Sequence, residues 1–214
     1  MILFSLNPAF DMLPASENID DLFHEKYDEN LRGIAPERED LYQTCEREGV
    51  GITVMKTYAG GRLFNAEQSP FGVALSPVQC IHYALTRPAV ASVMIGYHSP
   101  EHVDSAVSYE TASEEEIDYA SVLAAAPLHS YSGQCTYCGH CSPCPARINI
   151  AAVNKLYDLA VMQPTVPPSV RAHYESLPAR ASDCIACGFC ETRCPFHVSV
   201  IESMTKTAKL FEQA

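Results

Sequence analysis

The chain has 214 residues, 47% hydrophobic and 19% charged, with 15 Pro, 10 Cys and no Trp. Its 14 Lys and Arg against 26 Asp and Glu give a formal net charge of −12, a field that repels phosphate backbones and argues against nucleic acid as a partner. No stretch approaches the roughly 20 apolar residues of a membrane-spanning helix. Met1-Ile2-Leu3-Phe4 has no basic region before the acids at Asp11 and Glu17, so no secretory signal is expected and a cytoplasmic location is.

Ile2–Leu6 is a short apolar run closed by Asn7-Pro8, and residues 12–34 are acidic and unpatterned, read as loop with weak helix. Pro36-Glu37-Arg38-Glu39-Asp40 opens a helix, with Pro in the first turn and acids at the positive dipole end. That helix carries Leu41, Tyr42 and Cys45 and stops at Gly49; Val50–Met55 then reads as a buried strand. Ser76-Pro77 starts a helix with Val78, Ile81, His82 and Leu85, and Val90–Ile95 is a second buried strand ending at Gly96. Ser99-Pro100-Glu101 caps another helix with Val103, Ala106 and Val107 on one face. Strands alternating with helices predict a parallel α/β arrangement. Glu114-Glu115-Glu116 reads as an acidic helix N-terminus, and Cys45 and Cys80 as small core residues. His98 and His102, four apart with no third ligand nearby, read as a solvated helix face.

A boundary is expected near Ala124–Ser132, dividing residues 1–125 from 126–214. Eight of the ten cysteines lie beyond it, in Cys135-x2-Cys138-x2-Cys141-x2-Cys144-Pro145 and Cys184-x2-Cys187-x2-Cys190-x3-Cys194-Pro195. The second run has the spacing of bacterial ferredoxins, whose fourth Cys ligates the other cluster. Two [4Fe–4S] clusters with crossed ligands follow: Cys135, Cys138, Cys141 and Cys194 on one, Cys184, Cys187, Cys190 and Cys144 on the other. The first run is one residue shorter before its last Cys, which leaves Cys144 less firmly assigned. Two four-cysteine zinc sites would share the same pairs, and a disulfide framework would need an oxidising compartment. His140 and His197 lie beside cluster cysteines and are expected to tune them rather than ligate iron. Between the runs, Ile148-Asn149-Ile150 leads into a helix, Pro164–Pro168 breaks it, Val170–Leu177 is a second helix, and a stripe from Val198 to Phe211 forms a third. This part is read as a mostly helical, ferredoxin-like module.

Asn7-Pro8, Val54-Met55-Lys56 with Gly60-Gly61-Arg62-Leu63, and Ile95-Gly96-Tyr97-His98-Ser99-Pro100-Glu101, followed by the cysteine module, resemble the C-terminal part of bacterial aldo-keto reductases with a ferredoxin-like tail. The resemblance implies the sixth, seventh and eighth strands of a (β/α)8 barrel, that is, a partial barrel of the last three strands and their helices. A whole barrel needs about 250 residues, and the family's catalytic Asp, Tyr, Lys and His belong to earlier strands. No catalytic residue is therefore carried over, Lys56 included, and carbonyl reduction by this chain alone is not expected. The resemblance does carry nicotinamide contacts onto Lys56, Gly60, Gly61, Gly96 and Ser99, with NAD and NADP both open. Gly60-Gly61 reads equally as a plain turn. Electron transfer through two clusters is thus the leading expectation, with a redox partner protein or reductase; the rival is a cluster-stabilised interaction module without catalysis. Beginning at the sixth strand would leave Ile2–Leu6 and Val90–Ile95 as apolar open edges without Lys, Asp or Glu. Another chain is therefore expected to cover them, and residues 1–125 to be aggregation-prone without it.

Overall fold

A computed structural model describes residues 1–14, 32–128, 131–161 and 164–212. Most of the acidic stretch at 12–34 lies outside these. The chain divides into two units, Met1–Tyr131 and Ser132–Ala214.

The first unit holds three parallel strands, β1 (Ile2–Ser5), β2 (Ile52–Met55) and β3 (Val90–Val93), in the order β1-β2-β3. Phe4 pairs with Val54 and Val54 with Val93, while Leu3, Thr53 and Ser92 are in register on the opposite face. Ile52 and Val54 are fully buried. The other face is open: Leu3 is 52% exposed and Met94, just past β3, 59%. Among the described residues, β1 and β3 each pair with β2 alone.

Helices follow the strands. Asn7 caps α1 (Pro8–Asp11), its Oδ1 accepting from the amides of Ala9 and Phe10 at 3.0 and 2.9 Å. Its Nδ2 donates to the Lys56 carbonyl at 2.9 Å, tying the ends of β1 and β2 together. α2 (Pro36–Arg47) buries Tyr42 and Cys45, and Tyr42 meets Phe4 of β1 edge-on. α3 (Pro77–Thr86) begins with a reciprocal cap, Ser76 Oγ accepting from Gln79 N and Gln79 Oε1 from Ser76 N. Cys80 is buried on α3, so both cysteines of this unit are core residues.

Three local expectations need correction. α4 (Pro100–Val107) begins where Ser99-Pro100 places it, but the Ser99 side chain makes no capping bond to the helix backbone. Its hydroxyl hydrogen-bonds the Glu101 carboxylate instead, holding that group below its usual range. Glu114–Glu116 lie in a turn rather than a first helical turn, because Glu116 folds back to accept from Ser113 N and Oγ. The cap of α5 (Tyr119–Ala124) is Asp118, whose Oδ1 accepts from Ser121 N. His98 precedes α4, so the four-residue spacing to His102 does not place the pair on one helix face; its amide instead reaches His102 Nδ1 at 3.4 Å.

A polar cluster lies inside this unit. Asp11, wholly buried, accepts from Tyr42 Oη at 2.5 Å and Tyr83 Oη at 2.7 Å, with Arg38 Nη1 3.9 Å away. Arg38 also donates to the Leu13 and Ser5 carbonyls, and Tyr131 Oη to the Pro8 carbonyl. Five segments of the unit are joined through these groups. Burial pushes the Asp11 carboxyl above its ordinary range, although Arg38 and Tyr42 pull the other way. Removing an acceptor from such a cluster strands its donors without water. Asp11→Ala is expected to cost the first unit about 3–5 kcal/mol, read by urea unfolding of the full chain. Asp11→Asn, which keeps an oxygen for the two tyrosines, should cost clearly less; equal costs would show that the charge, not the acceptor, matters.

Candidate metal centre

The second unit is built twice over. In the first cysteine loop Tyr137 and Gly139 have positive φ (55° and 86°); in the second, Ala186 and Gly188 do (52° and 77°). Three residues past the last cysteine of each run the backbone turns left-handed again, at Arg147 (58°) and His197 (54°). Each half then enters a helix six residues after its last cysteine: α6 (Ile150–Val161) and α9 (Val200–Glu212). α7 (Pro168–Glu175) follows α6 in the spacer, and the short α8 (Phe189–Arg193) fills the second run, where the extra residue lies. The first run instead passes through Ser142-Pro143, whose peptide is cis. Non-glycine residues with positive φ are uncommon, so matched ones at matched positions mark the halves as repeats of one motif.

The halves close on each other. One cavity is lined by Cys135, Cys138, Cys141 and Cys194, the other by Cys144, Cys184, Cys187 and Cys190, each about 350 Å³ including its open side. Each set therefore takes three thiols from one half and one from the other. Ile150 and Val200, equivalent residues at the starts of α6 and α9, line both cavities and form the wall between them. They belong to an apolar core with Ile148, Val153, Met204 and Phe211. Arg193 fastens the two runs: one Nη donates to the Cys141 and Pro143 carbonyls at 2.8 and 2.9 Å, and Nε donates to Phe189 O. Glu191 accepts from the Ile201 amide, and Gly133 N donates to Phe196 O.

The ten cysteines form no disulfide. Burial pushes the Cys135 thiol up to about 11 and Cys141 to about 12, and raises Cys190 as well. On Cys135 the Asn154 amide pulls the other way; Nδ2 lies 3.4 Å from Sγ. The Val198 amide donates to Cys194 Sγ at 3.4 Å. Thiols held protonated by apolar surroundings become thiolates when a cation replaces the proton. Four cysteines around one apolar cavity suit a cationic iron–sulfur core, whose clusters take four thiolates each.

Residues 134–199, a span holding all eight clustered cysteines, match the family model of the 4Fe-4S dicluster domain. The C-terminal part of the chain is thus similar to iron–sulfur dicluster domains. No curated protein and no solved structure matches the chain.

Of the histidines expected to tune a cluster, His140 lines the Cys135 cavity, while His197 is exposed and lines neither. Lys56, Gly60 and Gly61 follow β2, and Gly96 and Ser99 follow β3, so all five stand at the same end of the sheet. Lys56 is exposed, and Gly60 and Gly61 have φ of 67° and 87°, a turn that needs glycine. Gly96 has open space where a Cβ would stand, so nothing in the fold demands glycine there. Sequence reasoning missed Asn154 and Arg193, which stand outside the cysteine spacing. Aligning the two runs on Cys144-Pro145 and Cys194-Pro195 would have exposed the repeat.

Proposed function

We propose that the C-terminal unit binds two [4Fe–4S] clusters with crossed ligands: Cys135, Cys138, Cys141 and Cys194 for one, Cys184, Cys187, Cys190 and Cys144 for the other. The observation that carries this reading is the sorting of eight thiols into two cavities, each drawing its fourth from the other half. Bound clusters of this kind take up and release single electrons. Ile150 and Val200 exclude water from the wall between the cavities, and Arg193 holds the two runs in register. Cys187 is exposed between Ile185 (66% exposed) and Phe189 (59%), an uncharged stretch where a redox partner protein would approach closest.

For the first unit we infer descent from the last three strands of an aldo-keto reductase barrel. Its support is the parallel β1-β2-β3 order with intervening helices and the gathering of Lys56, Gly60, Gly61, Gly96 and Ser99 at one sheet end. On that reading the open face bearing Leu3 and Met94 is the former barrel interior, and another chain covers it and the open edges. A nicotinamide cofactor, NAD or NADP, would meet only part of its site here. The rival, an interaction module without redox traffic, requires that the clusters serve folding alone.

The full chain reconstituted anaerobically is expected to bind about eight iron, from two four-iron clusters; colourless protein with stoichiometric zinc would overturn the reading. Cys194→Ser should damage the cluster of Cys135, Cys138 and Cys141 while sparing its sequence neighbour, as followed by EPR; loss of the neighbour instead would refute the crossing. Calorimetric titration with NADH and NADPH should show binding weakened by Lys56→Ala, and no heat with either would remove the nicotinamide proposal. Leu3→Lys with Met94→Lys should lower the sedimenting mass of an associated wild type and, with the lost association, its thermal midpoint, whereas a monomeric wild type would dispose of the covering chain.

A further inference from the structure

The repeat makes each half a control for the other. Counting four residues from the shared wall, Asn154 follows Ile150 on α6 and Met204 follows Val200 on α9. Each lines its own half's cavity, Asn154 that of Cys135 and Met204 that of Cys184. Asn154 is only 3% exposed, its Nδ2 lies 3.4 Å from Cys135 Sγ, and its Oδ1 accepts from Ser203 Oγ at 2.7 Å. A buried amide with its oxygen engaged by a hydroxyl has its N–H groups fixed toward the sulfur. Met204 occupies the equivalent place with a thioether, which donates nothing.

We propose that Asn154, oriented by Ser203, is a positioning residue that raises the reduction potential of the Cys135/Cys138/Cys141/Cys194 cluster and so makes the two clusters electrically unequal. Reduction adds negative charge that spreads onto the ligand sulfurs, and an N–H donor stabilises the reduced form more than the oxidised one. The donor acts on one cluster because its counterpart in the other half is apolar. An electron shared between the clusters is thereby biased toward the Cys135 side relative to a chain with methionine in both places.

This rests on the cluster assignment above, and iron content with two EPR signals in the wild-type chain tests that assignment separately. The proposal is tested by potentiometric EPR titration of the full reconstituted chain. Asn154→Met, which makes the halves alike, should lower the reduction equilibrium constant of the Cys135-side cluster about tenfold, a shift of roughly 59 mV for one electron, and leave the other unmoved. Ser203→Ala, which keeps the amide but releases its oxygen, should shift the same cluster in the same direction by less. Met204→Leu should move neither. Should Asn154→Met fail to hold iron, Ser203→Ala alone decides. An unshifted Cys135-side potential, or equal shifts of both clusters, would overturn the proposal.

Discussion

A thiolate in apolar surroundings is tolerable only beside positive charge, and this chain places eight thiols around two apolar cavities. That constraint accounts for most of the second unit. Because each cavity takes its fourth thiol from the opposite half, neither half completes a set of four alone, and on the proposed cluster assignment the energy of metal binding would be folding energy for both. The spacer helices α6 and α7 and the terminal helix α9 then serve to close an apolar core over the cysteine loops. Arg193 supplies what the short run Cys141–Cys144 cannot, a direct tie from one cysteine run to the carbonyls of the other.

The first unit answers to a different constraint. Its helices pack on one sheet face, and its polar interior is organised around one carboxylate rather than a metal. Asp11 receives tyrosines from α2 and α3, while Arg38 reaches back to the ends of β1 and α1. Such a cluster specifies a single arrangement of the segments, and it is tuned by geometry more than by net stabilisation.

The legibility of these features in the sequence differed for physical reasons. The cysteine spacing encodes its own geometry, since three thiols two residues apart can face one cavity; the sorting of the eight cysteines into two groups of four was therefore legible in the sequence. Strands β1, β2 and β3 were visible as apolar runs, although β1 and β3 end earlier than theirs, because Leu6, Met94 and Ile95 continue the hydrophobicity beyond the pairing. The Ser99 and Glu116 corrections come from side chains choosing among several local partners, which residue type alone does not decide. Asp11, Arg38 and Asn154 were invisible for another reason. Each looks like an ordinary surface polar residue until long-range contacts bury it.

The wall formed by Ile150 and Val200 has a consequence for how the domain can vary. Two equivalent side chains fill one seam between two cavities, so the space there is a joint property of both. A methylene added at one position crowds the other, and one removed leaves a gap that the other could refill. Exchanging the pair, Ile150→Val with Val200→Ile, conserves the total volume, while either change alone does not. Outside the cysteine loops and the Arg193 tie, the seam is therefore the place where the halves of this repeat must change together.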